Sequence, residues 1–436
     1  MNLFLSALYR LLKAIVVVTL RIFYPHTAFI DRHFLHHKGP AILIVNHPNT
    51  LLDALFGALS SPRYTFFLAN YSLFKNPVAG WLLNQLYCIP IQRYQDTNGR
   101  PLQNEDSFAR ADAHLAAGGQ LLVAPEGASL PGRRVRTFKT GAARIAFSMA
   151  SKSGFQSGLV FLPVGLTYER PHRFGGSVTV QAGPPVAVDD FADAWAADPV
   201  QAVRELTQHL ELKMQQLAVH TTDEAEDKLL HYAEILLRNS RPLPQKEEYL
   251  RTRRLLDGFR GLQQTDAPGW ERFSRDVRAY FFRLHALGLQ DHAVAAPSLQ
   301  FVWGHIAALW LTLPVFVLGW ALNALPFHLP GFIADRAGAV PEYKATWKYV
   351  GGLLFFTIWY VILYQLFRTQ FSVLWSWGLL LLTPALGWAA WRYYQWALHT
   401  WQSWKAWNVF RKKPELRQEW QEFRAALLQE TKGMVI

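Results

Sequence analysis

The 436-residue sequence contains one cysteine, Cys88, which excludes a fold held together by intrachain disulfides. A reducing environment fits this composition but is not required by it. Charged residues are also scarce, at 17% of the chain against about 25% in soluble domains. Since apolar residues reach 51%, we expect part of the chain to lie in lipid rather than in water.

Signatures of several common enzyme classes are missing as well. The sequence has no G-x-S-x-G elbow and no Walker loop. Cys88 lies in an apolar run typical of a core strand, which favours a buried thiol over a nucleophile. A group of three histidines, His33, His36 and His37, offers too few ligands at settled positions for a metal site, so we expect a solvated basic turn there and no metal.

The charge that is present has a positive excess, with a net value of +12. Such an excess suits either nucleic acid or an anionic membrane surface. The basic residues are spread among apolar segments rather than gathered on one domain, which favours the membrane and argues against nucleic acid.

The first 23 residues predict a helix that lies in the membrane interface. Arg10, Lys13 and Arg21 interrupt the apolar run, and the charge-free stretch before Arg21 is far shorter than the roughly 20 residues needed to cross. An uncleaved signal anchor is the alternative interpretation.

Short β-rich runs alternate with helix-like segments over residues 24–190, which predicts an α/β domain with a largely buried sheet. Pro163 interrupts one of these runs and predicts an edge strand or a bulge. We expect strands at residues 41–45, 64–69, 87–91, 120–124, 159–168 and 177–182, and helices at 50–60, 105–117 and 139–151.

Three further regions follow. Apolar residues spaced by three or four predict a charged helical region at 191–295. Residues 296–395 contain three charge-free runs, each long enough to cross a hydrocarbon core of about 30 Å, which predicts a membrane domain with two or three transmembrane helices. Residues 396–436 form a basic tail rich in tryptophan.

Three crossings would place this tail opposite the α/β domain, against the positive-inside rule, so the first run, which contains Pro314, is a candidate for a re-entrant segment.

Polar groups follow the ends of several predicted strands, where open α/β sheets place their ligand sites. His47 follows the strand at 41–45, Arg93 follows that at 87–91, and Glu126 follows that at 120–124. Asp53 has two interpretations: it orients the His47 imidazole as a general base, or it only completes the start of a helix that Thr50 caps.

In their order and spacing over about residues 40–190, these groups resemble the motifs of the glycerolipid acyltransferase family, whose members transfer fatty acyl groups to glycerol phosphate or lysophospholipids. The resemblance implies an α/β acyltransferase domain with a mixed, largely buried sheet, followed by a helical region and C-terminal transmembrane helices. The matching motifs are Asn46-His47 with Asp53, the apolar run ending in Arg93, Pro125-Glu126-Gly127, and the apolar run with Pro163.

The resemblance also implies a role for each residue. His47 and Asp53 are the catalytic pair. Acceptor and phosphate binding fall to Arg93, Glu126, Gly127 and Lys139, while Asn46, Pro125 and Pro163 are structural. No cofactor is implied; the co-substrate is an acyl-CoA or acyl-carrier-protein thioester. A cytosolic donor of this kind places the catalytic domain on the cytoplasmic side.

Two departures from the common family pattern stand out. Five residues separate His47 from Asp53 instead of four, which resembles the branch that acylates glycerol 3-phosphate or dihydroxyacetone phosphate. Ala128-Ser129 replaces a threonine-arginine pair found in many members. Acylation of lysophosphatidate or another lysophospholipid is the alternative activity, and a membrane lipid-binding module is the alternative that is not an enzyme.

Overall fold

The structure, a computed structural model, describes residues 3–85, 87–93, 101, 103–295 and 302–435. The chain divides into two compact units. The first comprises Met1–Thr222 together with Val340–Thr346, and the second comprises Asp223–Ala339 together with Trp347–Ile436.

A mixed sheet forms the centre of the first unit. Its order is β1-β7-β6-β2-β5-β3-β4, with the short β8 paired to β6. The strands β6, β2, β5, β3 and β4 run parallel, whereas β7 is antiparallel to β6. The strands are β1 His26–Ile30, β2 Ala41–Val45, β3 Thr65–Asn70, β4 Cys88–Ile91, β5 Gln120–Val123, β6 Val160–Glu169, β7 Ser177–Ala182 and β8 Val186–Ala187.

The predicted α/β fold with a mixed, buried sheet is confirmed. Each predicted strand is present to within a residue at either end, because runs such as Ala-Ile-Leu-Ile-Val are branched, apolar and fully buried in β2. Two strands were not predicted. β1 has only its last residue, Ile30, buried, and β8 has two residues, so neither carries a clear hydrophobic pattern.

Helices cover the sheet on both faces. α5 and α7 bury their apolar sides in one continuous core with β2, β5 and β6. On α1, the apolar side chains of Leu11, Ile15, Val18 and Ile22 form an exposed stripe, as expected for a helix in a membrane interface. The helices of this unit are α1 Leu3–Phe23, α2 Leu51–Ser60, α3 Pro77–Gln85, α4 Glu105–Ala116, α5 Gly141–Lys152, α6 Ala192–Ala197 and α7 Pro199–Leu217.

Pro163 was expected to mark an edge strand or a bulge; β6 lies inside the sheet, but one of its sides is locally unpaired at Pro163. Pro163 lies inside β6, in register with Ile44 of the central strand β2. On its other side, β8 pairs only as far as Phe161 and β7 pairs from Val164 onward. Since the Pro163 carbonyl accepts from Gly183 in the β7–β8 connection, the missing N–H faces this gap and removes no ladder hydrogen bond.

The second unit consists of helices. Three of them, α12, α13 and α14, are long and apolar enough to cross a membrane, which fits an integral membrane protein. α14 continues through residue 395, so the tail proper begins only after Phe410. Among the described residues the helices after α7 are α8 Glu224–Ser240, α9 Gln245–Thr265, α10 Ala267–Ala286, α11 Asp291–Ala295, α12 Val302–Arg336, α13 Pro341–Gln370, α14 Val373–Phe410 and α15 Pro414–Gly433.

A buried ion pair joins the two ends of this three-helix segment. Asp291 precedes α12 and Arg424 follows α14, yet the Arg424 guanidinium donates to both carboxylate oxygens, at 2.8 and 3.0 Å. Tyr280 and Asn239 donate to the same carboxylate, at 2.7 and 2.9 Å. Because such a pair cannot form through a bilayer, both ends must lie on one side of it.

We therefore expect an even number of crossings between Asp291 and Arg424. In a Cys88→Ser background, Gln290→Cys and Lys412→Cys should react with a membrane-impermeant maleimide from the same face of sealed vesicles. Ala337→Cys and Ser372→Cys, between the apolar helices, would identify which helices cross. Labelling of positions 290 and 412 from opposite faces would contradict the arrangement.

Candidate active site

The parallel strands bring three predicted motifs to one edge of the sheet. β2 ends at Val45, β5 at Val123 and β4 at Ile91, and all three run in the same direction. The residues that follow, His47, Glu126 and Arg93, are therefore delivered to the same edge, where open α/β sheets bind their ligands.

The Asn46 side chain continues the hydrogen bonding between β2 and β6 beyond Val45, the last paired residue of β2. Its Oδ1 accepts from the Leu166 N–H at 2.6 Å, and its Nδ2 donates to the Leu166 carbonyl at 2.9 Å. Only a side-chain amide offers both an acceptor and donors in this geometry. Asn46 thus fixes the point at which the chain leaves the sheet, directly before His47.

His47 and Asp53 are hydrogen-bonded. His47 Nδ1 lies 3.1 Å from Asp53 Oδ2. With the proton on Nδ1, this bond leaves Nε2 of the half-exposed ring unprotonated and able to accept a proton. The carboxylate is fully buried and also accepts from the Asn49 N–H at 2.6 Å.

Asp53 therefore contacts both the His47 ring and a backbone N–H just before α2, although the Thr50 cap of the second interpretation is not formed. α2 lies close to the sheet at Gly57, where a Cβ would come within 2.6 Å of Leu122. The aromatic rings of Tyr24, Phe56 and Tyr168 pack together behind the pair. Burial raises the pKa of Asp53, and the bonds from His47 and Asn49 counter this by stabilising its charged form.

Thr50 occupies the position before α2, but its side chain does not cap the helix, contrary to expectation. Its backbone has φ 46° and ψ −118°, a conformation that costs a β-branched residue about 1–3 kcal/mol. The hydroxyl instead bonds the carbonyl of Glu342 at 3.1 Å and the hydroxyl of Thr346 at 2.6 Å.

Glu126 is held against the histidine backbone. Its Oε1 accepts from the His47 N–H at 3.1 Å, and the side chain is almost fully buried. Burial raises the pKa of Glu126 to about 7, although the bond from His47 opposes the shift. Glu126 is therefore a carboxyl group that changes its charge near neutral pH beside the candidate base.

The Pro125-Glu126-Gly127 turn contacts the other predicted binding residues. Gly127 has φ +73°, a conformation that favours glycine, and its carbonyl accepts from Arg93 Nη1 at 3.1 Å. The Pro125 carbonyl accepts from the Lys139 N–H at 2.7 Å. The Lys139 side chain is exposed, and its stem passes beside Gly127.

The structure thus brings His47, Asp53, Glu126, Gly127 and Arg93 into one connected group, with Lys139 beside it. Pro163 lies within the strand next to β2. The Cys88 thiol is buried in β4, and burial raises its pKa to about 11, so it is protonated at neutral pH. No cluster of histidine, cysteine, aspartate or glutamate side chains that could hold a metal occurs among the described residues.

A family model described as Acyltransferase matches residues 26–167. The match begins with β1 and ends within β6, so it spans the whole group. Residues 26–167 are thus similar to the acyltransferase family. The branch implied by the five residues between His47 and Asp53 stays a prediction.

One solved structure similar to the chain is that of the 1-acyl-sn-glycerophosphate (LPA) acyltransferase PlsC from Thermotoga maritima. The two share 18% sequence identity with a TM-score of 0.36, and the alignment covers 49% of this chain and 78% of that one. No curated protein matches the chain.

Sequence reasoning missed the residues that surround His47 and Asp53. The Tyr24 hydroxyl accepts from Asn49 Nδ2 at 2.8 Å and donates to the Pro171 carbonyl at 2.5 Å. Tyr168 is buried at the far end of β6. A tyrosine within an apolar run was the available signal, but sequence spacing does not tell which strands become neighbours.

The raised pKa of Glu126 leads to a prediction on stability. A carboxyl group that titrates near 7 when folded and near 4.5 when unfolded disfavours the folded state increasingly as the pH rises between these values. Glu126→Gln keeps the acceptor for the His47 N–H but cannot ionise. We expect its melting temperature in detergent, relative to wild type, to be higher at pH 8 than at pH 5.

The exposed residue Glu205 provides the control, since Glu205→Gln should show no such pH-dependent difference. A Glu126→Gln melting temperature that tracks wild type at both pH values would show that Glu126 is not held in a desolvated environment.

Proposed function

We propose that the protein is a membrane-bound O-acyltransferase that transfers a fatty acyl group from a thioester to glycerol 3-phosphate or dihydroxyacetone phosphate. The observation that carries this proposal is the 3.1 Å contact between His47 Nδ1 and the buried Asp53 carboxylate. It lies within the segment that matches the acyltransferase family and is connected to Glu126, Gly127 and Arg93.

The proposed reaction needs one base. Nε2 of His47 removes the proton from the acceptor hydroxyl while its oxygen attacks the thioester carbonyl. The tetrahedral intermediate then expels the thiolate as the carbon–sulfur bond breaks, and the imidazolium returns the proton to sulfur. The products are an ester and a free thiol, with no acyl-enzyme. Positioned base catalysis of this kind contributes roughly 10²–10⁴-fold.

Asp53 acts in this scheme through the ring. A carboxylate on Nδ1 holds the tautomer in which Nε2 is the base, and it stabilises the imidazolium that forms during attack. Because Asp53 lies out of water, this interaction is stronger than it would be at the surface. The raised pKa of Glu126 allows it to donate to, or accept from, an acceptor hydroxyl near neutral pH.

Arg93 is the proposed phosphate ligand. Its bond to the Gly127 carbonyl uses one of the five guanidinium N–H donors and directs the group toward the turn after β5. Guanidinium geometry suits bidentate binding of a phosphate. Lys139 provides a second positive charge beside Gly127.

The membrane context supports a lipid product. Three apolar helices are long enough to cross a bilayer, and α1 presents an apolar stripe. A membrane-associated enzyme of this kind acts on acyl chains that partition into lipid. The donor is acyl-CoA or an acyl-carrier protein, and either places the catalytic domain in the cytoplasm.

Removing the base tests the chemistry. We expect His47→Ala to lower kcat by roughly 10²–10⁴-fold, because the attacking hydroxyl loses its base. Asp53→Asn should have a similar effect, since its neutral amide cannot stabilise the imidazolium by charge. Both are measured on purified protein by release of free thiol from acyl-CoA, and Cys88→Ser, which alters a buried thiol outside the group, should retain turnover.

Wild-type turnover in His47→Ala would show that another residue is the base. An acceptor panel of glycerol 3-phosphate, dihydroxyacetone phosphate and lysophosphatidate, with each donor type, decides the substrate. Preferred turnover of lysophosphatidate would support the alternative acceptor. Lipid binding without turnover on any acceptor would support a non-catalytic module.

Arg93 tests the phosphate site. We expect Arg93→Ala to raise the KM for the phosphorylated acceptor about 10- to 100-fold, because it loses a charge-assisted contact worth about 1.5–3 kcal/mol. The KM of Arg93→Lys should lie between those of wild type and Arg93→Ala. Unphosphorylated glycerol is the control substrate: its turnover should change little, and an equal loss for both substrates would contradict a phosphate contact.

A further inference from the structure

Both departures from the common family pattern meet at Thr50. Thr50 is one of the five residues between His47 and Asp53, and its N–H donates to the Ser129 hydroxyl at 3.0 Å. Ser129 belongs to the Ala128-Ser129 pair that replaces the usual threonine-arginine. The turn that carries the longer spacing is thus bonded to the other altered motif.

The Thr50 side chain points the other way, to the segment Val340–Thr346, which belongs to the same compact unit. Its hydroxyl lies 2.6 Å from the Thr346 hydroxyl and 3.1 Å from the Glu342 carbonyl. Ala345, between these two residues, is fully buried, whereas Val340 and Tyr343 are exposed, so the segment packs through one side only.

The backbone of Thr50 has an unfavourable conformation that these bonds help to impose. A β-branched residue at φ 46° does not hold this conformation by its own preference, and glycine would adopt it more readily. The surrounding contacts must therefore impose it. The same turn is bonded at its start, where the His47 carbonyl accepts from Leu130, and at its end, where Asp53 accepts from Asn49.

We propose that Thr50 is a positioning residue, and that the segment Val340–Thr346 holds it so that the His47 ring stays aligned on Asp53. The segment at the start of α13 is then part of the active site. It fixes the turn through the Thr50 hydroxyl, while Ser129 fixes the same residue through its backbone. This inference rests on the proposed function, because it concerns the alignment of the proposed base.

Substitution of the two threonines tests the proposal. Thr50→Val and Thr346→Val each remove the shared hydroxyl contact while keeping a β-branched side chain. Each should lower kcat about 5- to 100-fold with little change in KM for the acceptor, as expected for a misaligned base. The double variant should be no worse than Thr50→Val alone, because Thr346→Val removes only a bond that Thr50→Val already removes.

Matched variants separate positioning from a general loss of structure. Thr50→Ser keeps the hydroxyl and should retain wild-type kcat to within a few-fold. Thr357 lies in α13, as Thr346 does, and among the described contacts its hydroxyl bonds the Leu353 carbonyl alone. Thr357→Val should therefore leave kcat unchanged. Should Thr50→Val fail to fold, Thr346→Val removes the same contact without altering the turn.

A measurement that does not depend on turnover tests the role of Thr50 separately from the proposed function. Hydrogen–deuterium exchange of full-length protein in detergent should show faster exchange of peptides covering residues 46–53 in Thr346→Val, but not in Thr357→Val. Wild-type kcat and unchanged exchange in Thr346→Val would overturn the proposal. Faster exchange together with an inactive wild-type enzyme would instead reject only the proposed function.

Discussion

A carboxylate with no exposed surface is the constraint on which the site depends. Asp53 is removed from water, which favours its neutral form, and the bonds from the His47 ring and the Asn49 N–H favour its anion. Loss of either donor would weaken the stabilisation of a buried charge. The turn from Asn46 to Asp53 is therefore fixed by its chemistry, and the imidazole is fixed with it.

The remainder of the first unit can be understood as support for that turn. The side chain of Asn46 ties its start to β6, and Ser129 and the segment Val340–Thr346 hold Thr50. Glu126 holds the backbone of His47 from the neighbouring strand. The Arg93 bond to Gly127 then adds the third strand end to the same group. Three sequence motifs far apart in the chain become one site because parallel strands end at one edge.

Much of this could be predicted from the sequence. Buried parallel strands are continuous apolar runs, so β2, β5 and β6 were recognisable, and the polar residues after them had to lie at a common edge. β1 was missed because only its last residue is buried, and the gap beside Pro163 could not be assigned because a change of partner strand beside β6 is a tertiary feature. The contacts of Thr50 with residues almost 300 positions away were beyond any local pattern.

We infer that the His47 ring, held by Asp53, faces an acceptor whose phosphate is bound by Arg93. An experimental structure with glycerol 3-phosphate bound would test this arrangement. We expect an acceptor hydroxyl within roughly 2.6–3.2 Å of His47 Nε2 while the phosphate contacts the Arg93 guanidinium. An acceptor bound away from this edge of the sheet, or a hydroxyl out of reach of Nε2 with the phosphate on Arg93, would contradict it.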